Sequence, residues 1–494
     1  MVKKVNKISS IVFRLFGFIF IFGLFLRVWG VLHGNFAYTY DVGRDFLEIH
    51  KQVYEHNLSL LGPTSGQGGV FYGPWWYWLM AVPFFILGGN PTGMVLTIVV
   101  SGLLAVVLAF FWGRKFVNDY FGLLLAGVLS FSPYFIGTTS QFWNPNLLIF
   151  VTLAVMVLLS QITKLNYWWM FVFGFLTTLA IELQLFFGTF LFVSIFLCLL
   201  IFQKKIFFSR KILPFFLGVF IVELPRVIFE KKNDFLQTKV LLNNLSSNIT
   251  QQYDFFLRTK ILGEFLNAVW PIPVLMLVAV LSIIVLALFV RKIRVEKERD
   301  KRFFFLGVLL TIIIYCLVTL FYKKDFWNYY LTGLPVILLI PLGVVFSDIA
   351  NKFSKKGLLL IMVFVLSFLR PADIWQSIKV PKFVGDASVY RNQVEVVDYL
   401  YQDADGENFN VTVYTPPVYS YTWDYLFLWY GKKHYGSLPE TKKAMTKLYL
   451  VIEPDPGYEG RVTNWLKVRE GDGQIIKEKT FPSGIIVQSR FRSL

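Results

Sequence analysis

Long apolar stretches alternate with short polar or basic links over most of the chain. These stretches approach the length of about 20 residues that a helix needs to cross a bilayer, although the last one is shorter. They fall at 9–32, 92–112, 120–137, 145–163, 167–184, 186–203, 212–229, 270–290, 303–321, 330–349 and 357–369. The pattern predicts a polytopic α-helical membrane protein with about 11 spans.

A further aromatic run, 75–87, is too short to cross and contains Pro83. Its tryptophans are typical of a bilayer interface, so we expect an interfacial or re-entrant helix. If this run does not cross and the N-terminus is cytoplasmic, every dense basic cluster lies inside, including 291–302. If it crossed, 291–302 would lie outside. The eleven-span topology is therefore favoured.

The predicted topology places several links together on the extracytoplasmic side. They are the first loop with its interfacial helix (33–91), the link 138–146, the loop 230–268, the link 322–329 and the C-terminal tail. The multi-pass chain is accordingly expected in the cell membrane, with these segments facing away from the cytoplasm.

The tail changes character near Arg370, where ordinary polarity replaces the apolar stretches. YRNQVEVVDYLYQDA has apolar residues at helical spacing, whereas NVTVYT, KLYLVIEPD and GIIVQSR have the composition of β-strands. This mixture predicts a small α/β domain. We therefore divide the chain into a transmembrane domain, 1–370, and an extracytoplasmic α/β domain, 371–494.

Composition excludes other classes of protein. The chain has 494 residues, of which 56% are hydrophobic and only 16% charged, and its mean hydropathy of +0.58 excludes a soluble globular protein. The net charge of +17 lies in clusters between apolar stretches, so nucleic acid is not an expected partner. Cys198 and Cys316 both lie in apolar stretches and offer neither a disulfide framework nor a metal site.

Lysines before the first stretch predict a retained signal anchor.

The first loop concentrates ionisable residues directly after the first apolar stretch. Asp41, Arg44, Asp45 and Glu48 lie within eight positions of one another. In a helix, the spacing of Asp41 and Asp45 puts both carboxylates on one face. Charged groups near a membrane are costly and often serve function, so we expect an active-site loop. A solvated connection with ordinary surface charges is the alternative.

Other polar residues are expected at the same membrane face. They are Asn144 in WNPN, Glu182 and Gln184 in IELQLFFG, Arg226 in VELPRVIFE, and Lys323 and Tyr329 in FYKKDFWNYYL. A carboxylate can accept a proton from an acceptor hydroxyl, and Arg or Lys can hold a lipid phosphate. Simpler roles stay open. Arg226 could extend to the bilayer edge or pair with Glu182, and Asn144 could only cap a helix.

At these residues the chain resembles the polyprenyl-phosphate-dependent glycosyltransferases of the GT-C superfamily. It is similar to glycosyltransferase family 39, with its protein mannosyltransferases and the lipid A aminoarabinose transferase. The resemblance lies in Asp41 after the first span, GVFYGPWWYWLMAVPF, FSPYFIGTTSQFWNPNLL and ELPRVIFEKKNDFLQTK. It implies inverting transfer of a sugar from a polyprenyl-phosphate donor to an acceptor on the extracytoplasmic face. That acceptor would be a protein, a lipid or a cell-envelope glycan.

The resemblance also implies roles for individual residues. Asp41 takes the position of the general base, and Asp45 is the rival base or a metal ligand. The expected donor-binding residues are Arg44, Asn144, Glu182, Gln184, Arg226, Lys323 and Tyr329. Many relatives carry Asp-Glu where this chain has Asp41-Val42, and His-Tyr where it has Tyr329-Tyr330. Metal ligation is therefore left open, with a divalent cation as one option.

Two other classes of function compete with a glycosyltransferase. A transporter or a flippase of lipid-linked glycans would carry inverted repeats and broken helices at the midplane, and neither is recognisable in the sequence. A glycan polymerase would place its chemistry in a large late loop rather than in the first one.

Overall fold

The computed structural model describes residues 2–66, 68–246, 254–324, 326–353, 355–371, 374, 386–416 and 419–493. The first part of the chain is helical. Its helices are α1 Val2–Leu32, α2 Tyr40–Tyr54, α3 Trp75–Ile86, α4 Pro91–Phe116, α5 Asp119–Phe131, α6 Pro133–Thr138, α7 Leu148–Ser160, α8 Tyr167–Leu183, α9 Leu185–Phe202, α10 Lys204–Phe207, α11 Leu213–Lys232, α12 Leu236–Ser246, α13 Phe255–Leu266, α14 Leu275–Val295, α15 Arg299–Phe321, α16 Leu334–Lys352 and α17 Lys355–Leu366. Short 3₁₀ turns occupy Asn144–Leu147, Ile162–Lys164, Arg210–Ile212 and Asn328–Leu331.

Every predicted apolar stretch contains a helix. Among the described residues, seven helical segments are long and apolar enough to cross a membrane: Ser10–Leu32, Pro91–Phe116, Leu185–Phe202, Arg210–Lys232, Leu275–Val295, Arg299–Phe321 and Leu334–Lys352. The remaining stretches form shorter apolar helices, and 120–137 is divided by Pro133 into α5 and α6. The chain is a polytopic helical membrane protein, and the count of eleven spans stays a prediction.

Glycines let neighbouring helices approach closely. A Cβ on Gly174 of α8 would come within 2.0 Å of the Phe215 carbonyl oxygen in α11. A Cβ on Gly122 of α5 would likewise come within 2.5 Å of the Phe110 carbonyl oxygen in α4. Lipid tails are as apolar as the helices, so close backbone packing at small residues replaces hydrophobic burial as the source of association.

The run 75–87 forms the short helix α3, as predicted. Its bounds are Trp75–Ile86, with Pro83 inside the helix. Val82, Phe85 and Ile86 are exposed, and Trp75 Nε1 donates to the Val222 carbonyl oxygen at 2.7 Å. One face of the helix is therefore attached to α11 while the other presents apolar side chains, and its position at the bilayer interface stays a prediction.

The tail folds into a four-stranded sheet with helices. Its elements are α18 Tyr390–Ala404, β1 Phe409–Tyr414, α19 Tyr421–Leu426, a π-helical turn Phe427–Gly431, α20 Lys432–Tyr435, β2 Lys447–Ile452, α21 Glu459–Lys467, β3 Gln474–Thr480 and β4 Ile486–Phe491. The strand order is β1-β2-β4-β3, with β1 and β2 parallel and the other pairs antiparallel. Three strands and α18 match the predicted elements. Strand β3 was not predicted.

The tail lies directly on the first loop. Ala37 forms an antiparallel bridge with Val389, and the Tyr425 hydroxyl donates to the Gly89 carbonyl oxygen at 2.6 Å. Helix α19 crosses α2 so closely that a Cβ on Gly43 would come within 2.4 Å of the Thr422 nitrogen. Any larger residue at position 43 would push the two helices apart.

Candidate active site

Helix α2 gives its two aspartates different surroundings. Asp45 is 1% exposed, whereas 39% of the Asp41 side chain is exposed. The two residues are one helical turn apart, as their spacing predicted, but α19 and α3 cover only part of the helix. One carboxylate is therefore buried and the other faces open space.

The Asp45 carboxylate is fully engaged. Its Oδ1 accepts from Arg44 Nη2 at 2.7 Å and from the Tyr77 hydroxyl at 3.2 Å. Its Oδ2 accepts from Trp76 Nε1 at 2.8 Å. Burial raises the pKa of Asp45 above its ordinary value, although Arg44 and Trp76 oppose that rise. Such a carboxylate holds α2 against α3.

Arg44 joins the two aspartates to the rest of the loop. Its Nη1 lies 2.8 Å from Asp41 Oδ1 and donates to Thr64 Oγ1 at 2.9 Å. Burial alone would lower the pKa of Arg44, but the Asp45 carboxylate outweighs that effect and raises it. The guanidinium is thus permanently charged and already held by three side chains.

Residues 62–72 form a hairpin beside α2. The Gly62 nitrogen donates to the Tyr72 carbonyl oxygen at 2.8 Å, and the Tyr72 nitrogen donates to the Pro63 carbonyl oxygen at 2.9 Å. The second arm of the hairpin contacts α12, where Gln237 Oε1 accepts from the Phe71 nitrogen at 2.7 Å. The hairpin therefore connects the aspartate helix to the loop that follows α11.

Glu182 and Arg226 meet at the base of this hairpin. Glu182 is fully buried, and its Oε1 accepts from Arg226 Nη2. Arg226 Nη1 also donates to Glu223 Oε2 at 3.1 Å. A Cβ on Gly73 would come within 1.7 Å of Glu182 Oε2, so only glycine fits there. The pairing predicted as one alternative for Arg226 is present, and the cluster carries two acids against one base.

A cavity of about 230 Å³ lies between the hairpin, α9, α12 and the 322–330 link. Its lining residues are Ser65, Gly66, Tyr72, Gln184, Leu185, Phe186, Thr189, Phe190, Leu241, Tyr322, Lys324 and Tyr330. Gln184 Oε1 accepts from the Phe187 nitrogen at 2.6 Å and so caps α9. Asn144 lies just outside, where its Nδ2 donates to the Leu183 carbonyl oxygen at 2.5 Å. Both predicted residues fix the helix ends beside the cavity.

Tyrosines connect the cavity with Asp41. A Cβ on Gly66 would come within 2.5 Å of the Tyr329 hydroxyl, which places that ring over the hairpin. Burial raises the pKa of Tyr72 and of Tyr329, and the nearby Asp41 charge adds to both increases. Asp41 therefore lies within electrostatic reach of the cavity.

Lys323 and Lys324, in the link between α15 and α16, have different surroundings. Lys324 lines the cavity, whereas Lys323 is exposed and is not among the residues that line it. Position 324 was not selected from the sequence, because periodicity is undefined in so short a link. Arg258 of α13 braces this link by donating to the Lys324 carbonyl oxygen at 2.5 Å.

The side chains do not fit a divalent cation at this site. Within the described ranges, no group of three or more His, Cys, Asp or Glu residues is placed to hold a metal. Asp45 already accepts from N–H and O–H donors at both oxygens, and Asp41 Oδ1 faces Arg44. A cation bound by both aspartates would have to displace Arg44.

Sequence reasoning missed Thr64 and Gly73, chose Lys323 rather than the neighbouring Lys324, and did not anticipate the role of Trp76 as a partner of Asp45. Gly73 and Trp76 belong to GVFYGPWWYW, which carried the resemblance. Their physical roles depend on Glu182 and Asp45, and local spacing carries no information about such distant partners.

The basic segment 291–302 lies at the other end of the bundle. Helix α15 begins at Arg299, next to the Asp300 that contacts Lys164, and ends at Phe321, one residue before the cavity-lining Tyr322. The site and the basic cluster are thus separated by a full span, as the predicted topology requires.

The fold and this site define a multi-pass helical membrane protein with polar side chains gathered at one end of its helices. No family model and no curated sequence matches the chain. Two crystal structures of ArnT from Cupriavidus metallidurans, one bound to undecaprenyl phosphate and one in the apo state, each align at 10% identity. The alignments cover 98% of both chains with a TM-score of 0.59. An Archaeoglobus fulgidus oligosaccharyltransferase aligns at 11% identity over 79% of this chain and 55% of its own, with a TM-score of 0.45.

ArnT is a GT-C aminoarabinose transferase, so the predicted resemblance to this superfamily is confirmed in the fold. Identity of this order establishes the architecture. It does not carry over the reaction.

Proposed function

We propose that the chain is an integral membrane glycosyltransferase that moves a sugar from a polyprenyl-phosphate donor to a hydroxyl acceptor. The observation that carries this proposal is the contrast between Asp41 and Asp45, set in a fold shared along its length with ArnT. One carboxylate is saturated and buried. The other is 39% exposed, and its charge acts on Tyr72, which lines a cavity together with Lys324.

Asp41 acts as the general base in this proposal. The acceptor oxygen attacks the anomeric carbon of the sugar, the bond from that carbon to the phosphate oxygen breaks, and Asp41 takes the hydroxyl proton. Attack from the face opposite the leaving phosphate inverts the anomeric centre. Arg44 holds the carboxylate in place from one side, and Asp45 holds Arg44.

Lys324 and the tyrosines Tyr72 and Tyr330 receive the donor phosphate in the cavity. A lysine can balance the charge that grows on the departing polyprenyl phosphate, and a hydroxyl can donate to it. Arg226 is a positioning residue, because it is committed to Glu182 and Glu223. The same reasoning makes Arg44 a positioning residue. We place this cavity and the tail on the extracytoplasmic side, following the basic clusters.

ArnT has been crystallised with undecaprenyl phosphate, which supports a lipid phosphate as the carrier in this fold. The acceptor class stays within protein, lipid and cell-envelope glycan. Mass spectrometry of the polyprenyl-linked species that accumulates in a deletion strain identifies the sugar.

The decisive experiment uses the purified chain in proteoliposomes that contain radiolabelled polyprenyl-phosphate sugar and cell-envelope acceptors. A glycosyltransferase releases polyprenyl phosphate and labels the acceptor. A flippase or transporter moves the intact donor across the bilayer without splitting it, and that result would replace the proposal.

Lys324 and Lys323 provide a matched pair for the donor site. Lys324→Gln should weaken donor binding about tenfold, the order expected for one charge-assisted contact to phosphate. Lys323→Gln should leave it unchanged, because its side chain is exposed outside the cavity. Equal effects of the two substitutions would move the phosphate site elsewhere.

A further inference from the structure

A second cavity, of about 300 Å³, lies between α1, α5, α6 and the end of α17. Its lining residues are Phe25, Leu26, Arg27, Trp29, Gly30, Val31, Asn35, Phe131, Pro133, Ile136, Gly137, Ser140, Phe368, Leu369, Arg370 and Ile374. It shares no lining residue with the candidate active site. The walls are mainly aromatic and aliphatic, while Arg27 and Arg370 supply two positive charges.

Arg27 is only 1% exposed, although it lies inside the span Ser10–Leu32. It is five residues from the end of α1, which corresponds to about 8 Å along the helix and hence to a depth near the lipid headgroups. No carboxylate of the described residues forms an ion pair with it. A buried charge of this kind in a membrane helix is costly and is a marker of function.

Neutral groups accept hydrogen bonds from the Arg27 guanidinium. Nε donates to Thr139 Oγ1 at 2.8 Å, Nη1 donates to the carbonyl oxygens of Gly23 and Ser130 at 3.0 Å, and Nη2 donates to that of Leu129 at 2.6 Å. Leu129 and Ser130 belong to the last turn of α5, whose dipole offers about half a negative charge. The hydrogen bonds attach α1 to α5, and a net positive charge is left over.

Two further polar atoms at this cavity lack a partner. Asn35 Oδ1 and Ser140 Oγ are buried and make no hydrogen bond. The serine hydroxyl can donate to a phosphate oxygen, whereas the asparagine oxygen is an acceptor and can pair only with a donor group. Buried polar groups are normally paired, so an unpaired hydroxyl beside an arginine without a carboxylate partner indicates a missing anionic ligand.

We infer that this cavity is a second lipid site, which binds the phosphate of an anionic lipid between Arg27, Arg370 and Ser140. The apolar walls receive the start of the lipid chain, and the arginines receive the headgroup. An anionic phospholipid and a free polyprenyl phosphate present the same chemistry here. The inference does not depend on Asp41 or on sugar transfer.

The test is native mass spectrometry of the full chain after delipidation in detergent. Dioleoyl phosphatidylglycerol, dioleoyl phosphatidylcholine, undecaprenyl phosphate and inorganic phosphate are titrated separately. We expect phosphatidylglycerol to bind, and Arg370→Gln to weaken its binding about tenfold, as expected for loss of one charged contact. Lys467→Gln, which removes one exposed positive charge from the tail, should change nothing.

Undecaprenyl phosphate separates the two lipid sources. If it also binds, a second bound molecule should disappear in Arg370→Gln while the one that depends on Lys324 stays. Arg27→Gln should abolish phosphatidylglycerol binding. Because that substitution also removes hydrogen bonds between helices, Ser140→Ala provides a milder variant that should fold and bind several-fold more weakly.

Three results would overturn the inference. Phosphatidylglycerol could bind equally to the wild type, Arg370→Gln and Ser140→Ala. Phosphatidylcholine, which has no net charge, could bind as tightly as phosphatidylglycerol. Inorganic phosphate could occupy the cavity as tightly as either anionic lipid, which would make it a site for a soluble anion.

Discussion

Two buried arginines in this protein are treated in opposite ways. Arg44, in the first loop, lies between the carboxylates of Asp41 and Asp45 and is held by Thr64 as well. Arg27, in the first span, is surrounded by carbonyl oxygens and one hydroxyl. The charge of Arg44 is compensated by fixed carboxylates, so this residue can hold its neighbours in place. The charge of Arg27 is compensated by no carboxylate among the described residues, so it can attract an anionic ligand.

The largest effect should come from Asp41→Asn, which keeps the shape of the first loop and removes the base. Turnover should fall about 100-fold to 10,000-fold, the range for loss of general base catalysis, while donor binding is retained. Single-turnover transfer and donor titration on the purified variant measure the two quantities. Near-normal turnover in Asp41→Asn would remove the first loop from the chemistry.

Asp45→Asn should instead act on stability, because it leaves Arg44 buried with only its weaker partner. Breaking a buried ion pair costs roughly 3 to 5 kcal/mol, so thermal unfolding in detergent should occur at a clearly lower temperature. Asp41→Asn, at the exposed end of the same arginine, should unfold close to the wild type. If Asp45→Asn instead lost turnover while unfolding close to the wild type, and Asp41→Asn kept its turnover, Asp45 would be the base.

Gly73→Ala tests the other paired arginine, Arg226. The added methyl would overlap Glu182 Oε2 and displace the carboxylate from Arg226, at a cost of about 1 to 3 kcal/mol. Activity should fall about tenfold as the hairpin shifts. Gly68→Ala is the matched control, since a Cβ there meets nothing within 4 Å. Similar losses in both variants would point to general disturbance of the hairpin.

The smallest effect concerns Glu453. Among the described residues this carboxylate forms no ion pair with a base, just as Arg27 forms none with an acid. Burial raises the pKa of Glu453, in the tail, to about 7, and the hydrogen bond from Trp423 Nε1 at 2.8 Å only partly opposes this. The folded state therefore keeps a proton that the unfolded chain loses above pH 4.5. Stability from this group is complete below that pH and is lost as pH rises through about 7.

Glu453→Gln removes this titration, so the variant should gain stability relative to the wild type as pH increases from 5 to 8. The expected gain in unfolding temperature is about 2 °C at the higher pH. Thermal scans at several pH values measure it. A pH-independent difference between the two proteins would show that Glu453 does not titrate across this range.

The pattern of apolar residues was enough to predict the apolar helices, the short helix Trp75–Ile86 and the helix Tyr390–Ala404. Strand Gln474–Thr480 escaped because it lies at the edge of the sheet with every side chain exposed, so its sequence shows no apolar alternation. Pro133 divided one predicted span, since a proline readily starts a new helix after a break.

The sequence predicted which residues of the candidate site would lie near one another, but it did not predict which of them would be buried. The spacing of Asp41 and Asp45 placed them on one face, yet the choice of which is buried depends on Trp76 and Tyr77, about thirty positions later. Lys323 and Lys324 differ by one position, and their exposure is set by the path of an irregular link. Such distinctions come from tertiary packing, which local patterns do not encode.

The seam between the first loop and the tail has a consequence for the timing of assembly. Gln393 Nε2 donates to the Tyr38 carbonyl oxygen across 355 positions, and Gly43 packs on Thr422 over a similar distance. During synthesis, the aspartate helix emerges early and its Gly43 face stays uncovered until almost the whole chain has followed. Contacts this distant in sequence form slowly, so the nascent chain would pass through a long interval in which every span is inserted and the candidate site is still incomplete.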